Sequence, residues 1–314
     1  MKNRFSVLSA IFALSLLGCV PLGLAQEAAT SGPSVHMLVT AEAVHGTNVP
    51  AISRDDVMVY EGRDRDKVSD WVAAQGDQPP LELYVLLDDS SNVSLGSQLD
   101  DVRQFIAAQP SSTKIGIAYM RNGSANITQS LTNDRALVSK GLRLPLGLPG
   151  INGSPYFSLS DLIKHWPEST ARREVLMVSD GVDLYYGLGD SQDPYLLAAI
   201  RDAQRAGIVV FAIYTPGVGH YSRSYWRTYW GQIYLSQVAD ETGGESYGIG
   251  FYGRPVSFVP YLDDFAHRLN HQYLLTFIAK PQKKSGMQQV RLTTEVPNVE
   301  LISADSVYVP AAAR

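Results

Sequence analysis

A single cysteine, Cys19, in 314 residues excludes an intramolecular disulfide and any cysteine-built metal site. Stability has to come from a packed core, whatever the redox state of the compartment. Basic residues are outnumbered 26 to 31, and no Lys/Arg stripe marks a nucleic-acid surface. Catalytic signatures are missing as well. There is no Gly-x-Ser-x-Gly elbow, no His-Glu-x-x-His run and no Walker loop. Paired aspartates could assist metal-dependent hydrolysis, but the further His or acidic ligands of a two-metal hydrolase do not stand beside them. The chain therefore reads as a binding module rather than an enzyme. The longest apolar run, residues 5–18, is too short to span a bilayer comfortably.

That run has another reading. Lys2 and Arg4 precede it and small residues follow at "GLAQ", the layout of an export signal. Two cleavage sites compete. Cutting after Ala25 places Gly23 and Ala25 at −3 and −1, whereas "LLGC" at 16–19 resembles a lipobox that would leave Cys19 lipidated. The expected destination is the periplasm, the cell envelope or the medium. Loss of residues 1–25 leaves 24 basic residues against 31 acidic ones and moves the net charge from −5 to −7. Protein or glycan partners fit that balance; nucleic acid does not.

What is present is a chain 45% hydrophobic and 18% charged, long enough for one sizeable core and a smaller module. Residues 26–80 begin loosely, continue through "VHMLVTAEAV" and "DDVMVYEG" with the pattern of half-exposed strands, and end in the linker "QGDQPP". From 81 to 280, apolar runs at 83–87, 114–120, 174–179, 207–214 and 272–279 alternate with helical patterns at 96–108, 133–142, 158–166, 194–206, 232–242 and 257–270. Residues 124–131 fit a short edge strand. The alternation predicts a doubly wound, mostly parallel α/β sheet. Residues 281–314 return to strand-like alternation, and neither terminal segment has enough strands to stand alone. Together they should form a small flanking β module.

The stretch "LYVLLDDSSNVS" ends an apolar strand in a cluster of oxygen-bearing side chains. In an open parallel sheet, ligands bind at the carboxyl ends of the strands. Alternate positions share a face, so Asp88, Ser90 and Asn92 form one set, whereas starting at Asp89 yields fewer oxygen ligands. The run "EVLMVS" leads likewise into Asp180. Carboxylates plus neutral oxygens suit a hard cation, Mg²⁺ or Mn²⁺, which could take a further carboxylate from a partner. The competing reading is a polar turn with Asn92 or Ser94 capping the next helix.

"LLDDSSNVS", "GSPYFSLSDLI" and "VLMVSDGVD" together resemble the von Willebrand factor type A domain and its metal-ion-dependent adhesion site, of pattern Asp-x-Ser-x-Ser with a separate Thr and Asp. The likeness covers roughly residues 81–280, and the exported context resembles bacterial proteins related to that family. The resemblance implies a Rossmann-like fold and a metal held by Asp88, Ser90 and Asp180. Asn92 stands where the family has its second Ser, and Ser154 where it has Thr. It also implies recognition of a protein ligand through an acidic residue. A structural scaffold with a degenerate metal site, binding through an aromatic rim, is the alternative.

That rim has two parts. Residues 214–234 leave a strand end on the same side as the oxygen cluster, and Tyr221, Tyr225, Trp226 and Trp230 fit a contact patch for protein or glycan. Trp226 and Trp230, four apart, fit a core-facing helix stripe equally well. Tyr185 and Tyr186 lie in the acidic, glycine-containing loop after Asp180, where Asp183 either supports the ion or is simply solvated. His267 and His271 have zinc-compatible helical spacing but no defined third ligand.

Overall fold

The computed structural model describes residues 32–74, 79–91, 95–147, 153–186, 192–217, 224–250, 253 and 255–311. The export signal, Cys19, Asn92 and Tyr221 lie outside the described residues. All described residues belong to one compact unit that begins at Gly32. In chain order the strands are β1 (Ser34–Ala43), β2 (Val57–Glu61), β3 (Asp64–Ala73), β4 (Leu81–Asp88), β5 (Lys114–Arg121), β6 (Ser124–Thr132), β7 (Arg172–Ser179), β8 (Ile208–Tyr214), β9 (Ser246–Tyr247), β10 (Gln272–Ile278), β11 (Gly286–Gln289), β12 (Arg291–Thr294), β13 (Val299–Ser303) and β14 (Ser306–Val309). The helices are α1 (Gly96–Ala108), α2 (Arg135–Gly141), α3 (Pro155–His165), α4 (Pro194–Ala206), α5 (Tyr225–Thr242) and α6 (Val259–Leu269).

The doubly wound sheet has the order β6-β5-β4-β7-β8-β9. Every pairing in it is parallel except β5 with β6. All eight residues of β4 are buried, because helices cover both faces of the sheet. Side chains divide by parity: Leu83, Val85 and Leu87 pack with α1 and α6, while Tyr84 and Leu86 pack with α3, α4 and α5. Asp88 continues the second set, which aims it toward the helix that begins at Pro155. The chain runs from β4 to β5 on one side and later returns to β7 on the other. The carboxyl ends of β4 and β7 therefore flank the point where the strand order reverses, the place such sheets offer for ligands.

Local chemistry fixes the helix starts. Asp193 accepts hydrogen bonds from the amides of Tyr195 and Leu196 with Pro194 in the first turn, and Ser154 and Ser224 cap α3 and α5 in the same manner. The edge strand β6 is reached through Asn122 and Gly123, both with positive φ (55° and 71°), the two-residue hairpin geometry that Asn-Gly favours.

The second sheet has the order β12-β2-β3-β10-β1-β13, beside a two-stranded β11-β14 ribbon. Strands from both ends of the chain do meet: β13 pairs with β1 and β12 with β2. One expectation is corrected. The apolar run at 272–279 does not join the doubly wound sheet; as β10 it lies antiparallel between β1 and β3 in the centre of the flanking sheet. Its burial alternates, with Leu275 and Phe277 in the core and Tyr273 stacked on Trp71 at 4.3 Å. The sixth strand of the doubly wound sheet is instead the two-residue β9.

Candidate functional site

Four of the five expected metal ligands line one pocket: Asp88, Ser90, Ser154 and Asp180. The pocket has a volume of about 30 Å³. It has room for an ion and a water or two, and is far below the size of a metabolite site.

Asp88 is held in place from two directions. Its Oδ1 accepts from the amide of Ser90 at 2.8 Å, and its Oδ2 accepts from the hydroxyl of Ser179, at the end of β7, at 2.7 Å. Asp180 follows Ser179 directly and accepts from the amide of Val182 at 2.9 Å. Two close approaches keep it there. A Cβ on Gly217 would overlap the Asp180 carboxylate, and one on Gly231 would overlap the Asp180 carbonyl oxygen. The loop after β8 and the second turn of α5 thus close directly over this residue, which only glycine at both positions permits.

The two carboxylates are electrostatically uncomfortable. Burial raises the pKa of Asp88, and burial followed by the charge of Asp88 pushes Asp180 up to about 7. A cation between them would relieve both causes. Ser154 caps α3 by accepting from the amide of Phe157 at 3.3 Å and donates its proton to Asp183 Oδ2 at 2.7 Å, so its oxygen keeps a lone pair for a cation. Asp183 is buried and also accepts from the amides of Tyr185 and Tyr186 at 2.7 and 3.1 Å. The solvated reading of Asp183 is corrected: it orients Ser154. Among the described residues no group of three or more His, Cys, Asp and Glu side chains gathers as a metal site. The side chains of the pocket that could hold a cation are two carboxylates and two hydroxyls, a set that would suit a hard ion.

Asp89 turns the other way. It is fully buried and receives Arg143 in a bidentate pair at 2.6 and 2.8 Å. The Arg143 guanidinium lies 3.8 Å from the centre of the Tyr119 ring, and the Tyr119 hydroxyl donates to the Arg143 carbonyl at 2.5 Å. This clamp fixes the peptide between Asp88 and Ser90 from the side opposite the pocket. The two residues of the capping alternative, Asn92 and Ser94, lie outside the described residues. The N-cap of α1 is Leu95, which makes no side-chain cap bond.

The aromatic residues separate by exposure. Tyr185, Tyr186, Tyr225 and Trp226 face solvent, Trp226 at 63% exposure, and Tyr229 joins them at 41%. Trp230 instead is half-buried and packs on the core beside Tyr234, with ring centres 5.9 Å apart. The expected patch and the expected core stripe thus each account for one of the two tryptophans. The expected helical pair is corrected: His267 lies in the last turn of α6, whereas His271 lies beyond its end at Leu269, with Nδ1 2.8 Å from the carbonyl oxygen of His267. Sequence reasoning passed over Arg121, which also lines the pocket; the Asn-Gly pair that follows it was the signal for its position at a hairpin.

No family model matches the chain, and no curated protein matches it. Solved structures do. The chain is similar to von Willebrand factor type A domains. One from Catenulispora acidiphila is 8% identical with a TM-score of 0.41, covering 90% of this chain and 75% of that one. An ArnB paralog, VWA2 from Sulfolobus acidocaldarius, is 9% identical with a TM-score of 0.37, over 88% of this chain and 76% of that one. An aerotolerance-related membrane protein from Bacteroides fragilis, crystallised with multiple mutations to serine, is 15% identical with a TM-score of 0.42; 60% of this chain covers 98% of it.

Proposed function

We propose that this chain is an exported protein-binding module that recognises its partner through a divalent cation, Mg²⁺ or Mn²⁺, held by Asp88, Ser90, Ser154 and Asp180. One observation carries this reading. Two buried carboxylates with raised proton affinity and two hydroxyls meet in a pocket of about 30 Å³ at the strand-order reversal of the sheet. A cation supplies positive charge that the protein leaves short there, and an acidic side chain of the partner completes its ligands. The protein's own part is to hold the oxygens in place: Ser179 orients Asp88, Asp183 orients Ser154, and the Arg143–Asp89 pair pins the loop. Recognition of this kind needs no turnover, and we assign no catalytic residue. Export rests on the arrangement of residues 1–25. Among the described residues no helix is long and apolar enough to cross a membrane.

The test is a thermal-unfolding series on chelator-treated protein. Mg²⁺ or Mn²⁺ should raise the midpoint of the wild type and leave Asp180→Ala unmoved; equal responses would remove the site. The exposed Tyr225, Trp226 and Tyr229 favour a second reading, a scaffold that binds a protein or glycan through this rim without a metal. In that case EDTA leaves partner binding intact while Trp226→Ala weakens it.

A further inference from the structure

We propose that Arg121 is the anion-selecting residue of this pocket, pairing with a carboxylate of a bound polypeptide once a cation balances the acids opposite it. This deepens the cation-site reading and rests on it. Arg121 closes β5 and enters the tight Asn122–Gly123 turn, so its backbone is fixed at the strand end by pairing with Ser124. Its side chain is half-buried and lines the pocket that Asp88 and Asp180 line. Yet it makes no ion pair with either acid, or with any other acid among the described residues, and its buried Nε has no acceptor.

An arginine placed to neutralise the acids would touch them. One that stands in the same wall with a buried, unanswered N–H is set for an oxygen that arrives from outside, and its planar fork matches a carboxylate. Charge decides when that oxygen is welcome. Asp88, Asp180 and Arg121 are the charged side chains of the lining and Asp183 stands directly behind Ser154, so the site is at −2 with all three acids ionised and neutral once a divalent cation is added. A carboxylate is repelled in the first state and free to pair with Arg121 in the second. The volume of about 30 Å³ admits the tip of a side chain or a chain terminus rather than a free metabolite. Anion binding is thereby gated by the cation.

The experiment uses the full chain, Mn²⁺ and two probe peptides: acetyl-Gly-Asp-Gly-amide, whose only carboxylate is a side chain, and acetyl-Gly-Gly-Gly, whose only carboxylate is the terminus. Mn²⁺ binding is followed by loss of the free-ion electron paramagnetic resonance signal, and peptide binding by broadening of the peptide proton lines. The expected result is unchanged Mn²⁺ affinity in Arg121→Ala with peptide affinity lowered by about tenfold or more, the scale of a lost hydrogen bond to a charged group. Arg121→Lys, which keeps the charge without the fork, should fall between. Whichever peptide broadens in the wild type identifies the source of the carboxylate. Equal peptide affinity in wild type and Arg121→Ala with Mn²⁺ bound would overturn the role of Arg121 and leave the cation site standing. So would broadening of neither peptide, or equal broadening without Mn²⁺. Failure of the wild type to bind Mn²⁺ would overturn both.

Discussion

Glu174→Gln should make the protein more stable at pH 8 and leave it nearly unchanged at pH 4. Glu174 lies within β7 with no exposed surface, and neither of its carboxyl oxygens has a hydrogen-bond partner. Burial pushes its pKa up to about 7, with the charge of Arg172 acting against the rise; the Gln272 amide lies close enough to favour the ionised form without a well-formed bond. The sign follows from the two states. Below the ordinary value of 4.5 both folded and unfolded chains hold the proton, so the site costs nothing. As pH rises from there to about 7 the unfolded chain ionises first and stability is lost, reaching a plateau above 7. At about 1.4 kcal/mol per tenfold difference in proton affinity, the full loss is about 3 kcal/mol. Glutamine keeps the shape and removes the charge. The attraction of Arg172, which is itself buried and donates to the carbonyl of Leu269 at 2.9 Å and to Gln272 at 2.5 Å, is already contained in that raised value, so a gain of about 3 kcal/mol at pH 8 is the expectation. Urea unfolding of both proteins between pH 4 and pH 8 measures it. Two stability curves that run parallel across this range would refute the reasoning.

Two further substitutions test the supports of the pocket. Arg143→Ala strands the fully buried Asp89 carboxylate; because Arg143 is itself 36% exposed, water softens the loss to about 2–3 kcal/mol, and adding Asp89→Ala should recover part of it in a double-mutant cycle by denaturant unfolding. Gly231→Ala drives a methyl group into the Asp180 carbonyl. It should cost about 1–3 kcal/mol in unfolding free energy and weaken cation binding measured on the folded protein, as α5 shifts off the Asp180 turn.

Much of this arrangement was legible before the structure. A fully apolar strand that stops at Asp88, and a second that stops at Asp180, identify strand ends in a two-sided sheet, and helices 96–108 and 194–206 follow directly from their apolar spacing. The direction of Asp89 followed from strand parity, but its arginine did not, since Arg143 is 54 residues away. The run at 272–279 has the same apolar character as a central strand; only its neighbours β1 and β3, far apart in sequence, assign it to the other sheet. Asp183 sits in a loop of ordinary polar composition. Its burial depends on α3 arriving with Ser154 at its first turn, which no local pattern reports. Arg121 stood beside a readable hairpin signal, and its proximity to Asp88 follows from the pairing of β4 with β5.

The most direct measurement is calorimetric titration of Mg²⁺ and Mn²⁺ into the chelator-treated chain, with Asp88→Ala titrated in parallel. Saturable binding of about one ion per chain in the wild type, abolished in the variant while its fold is retained, is the result the cation-site account predicts. Heats indistinguishable between the two proteins would contradict it.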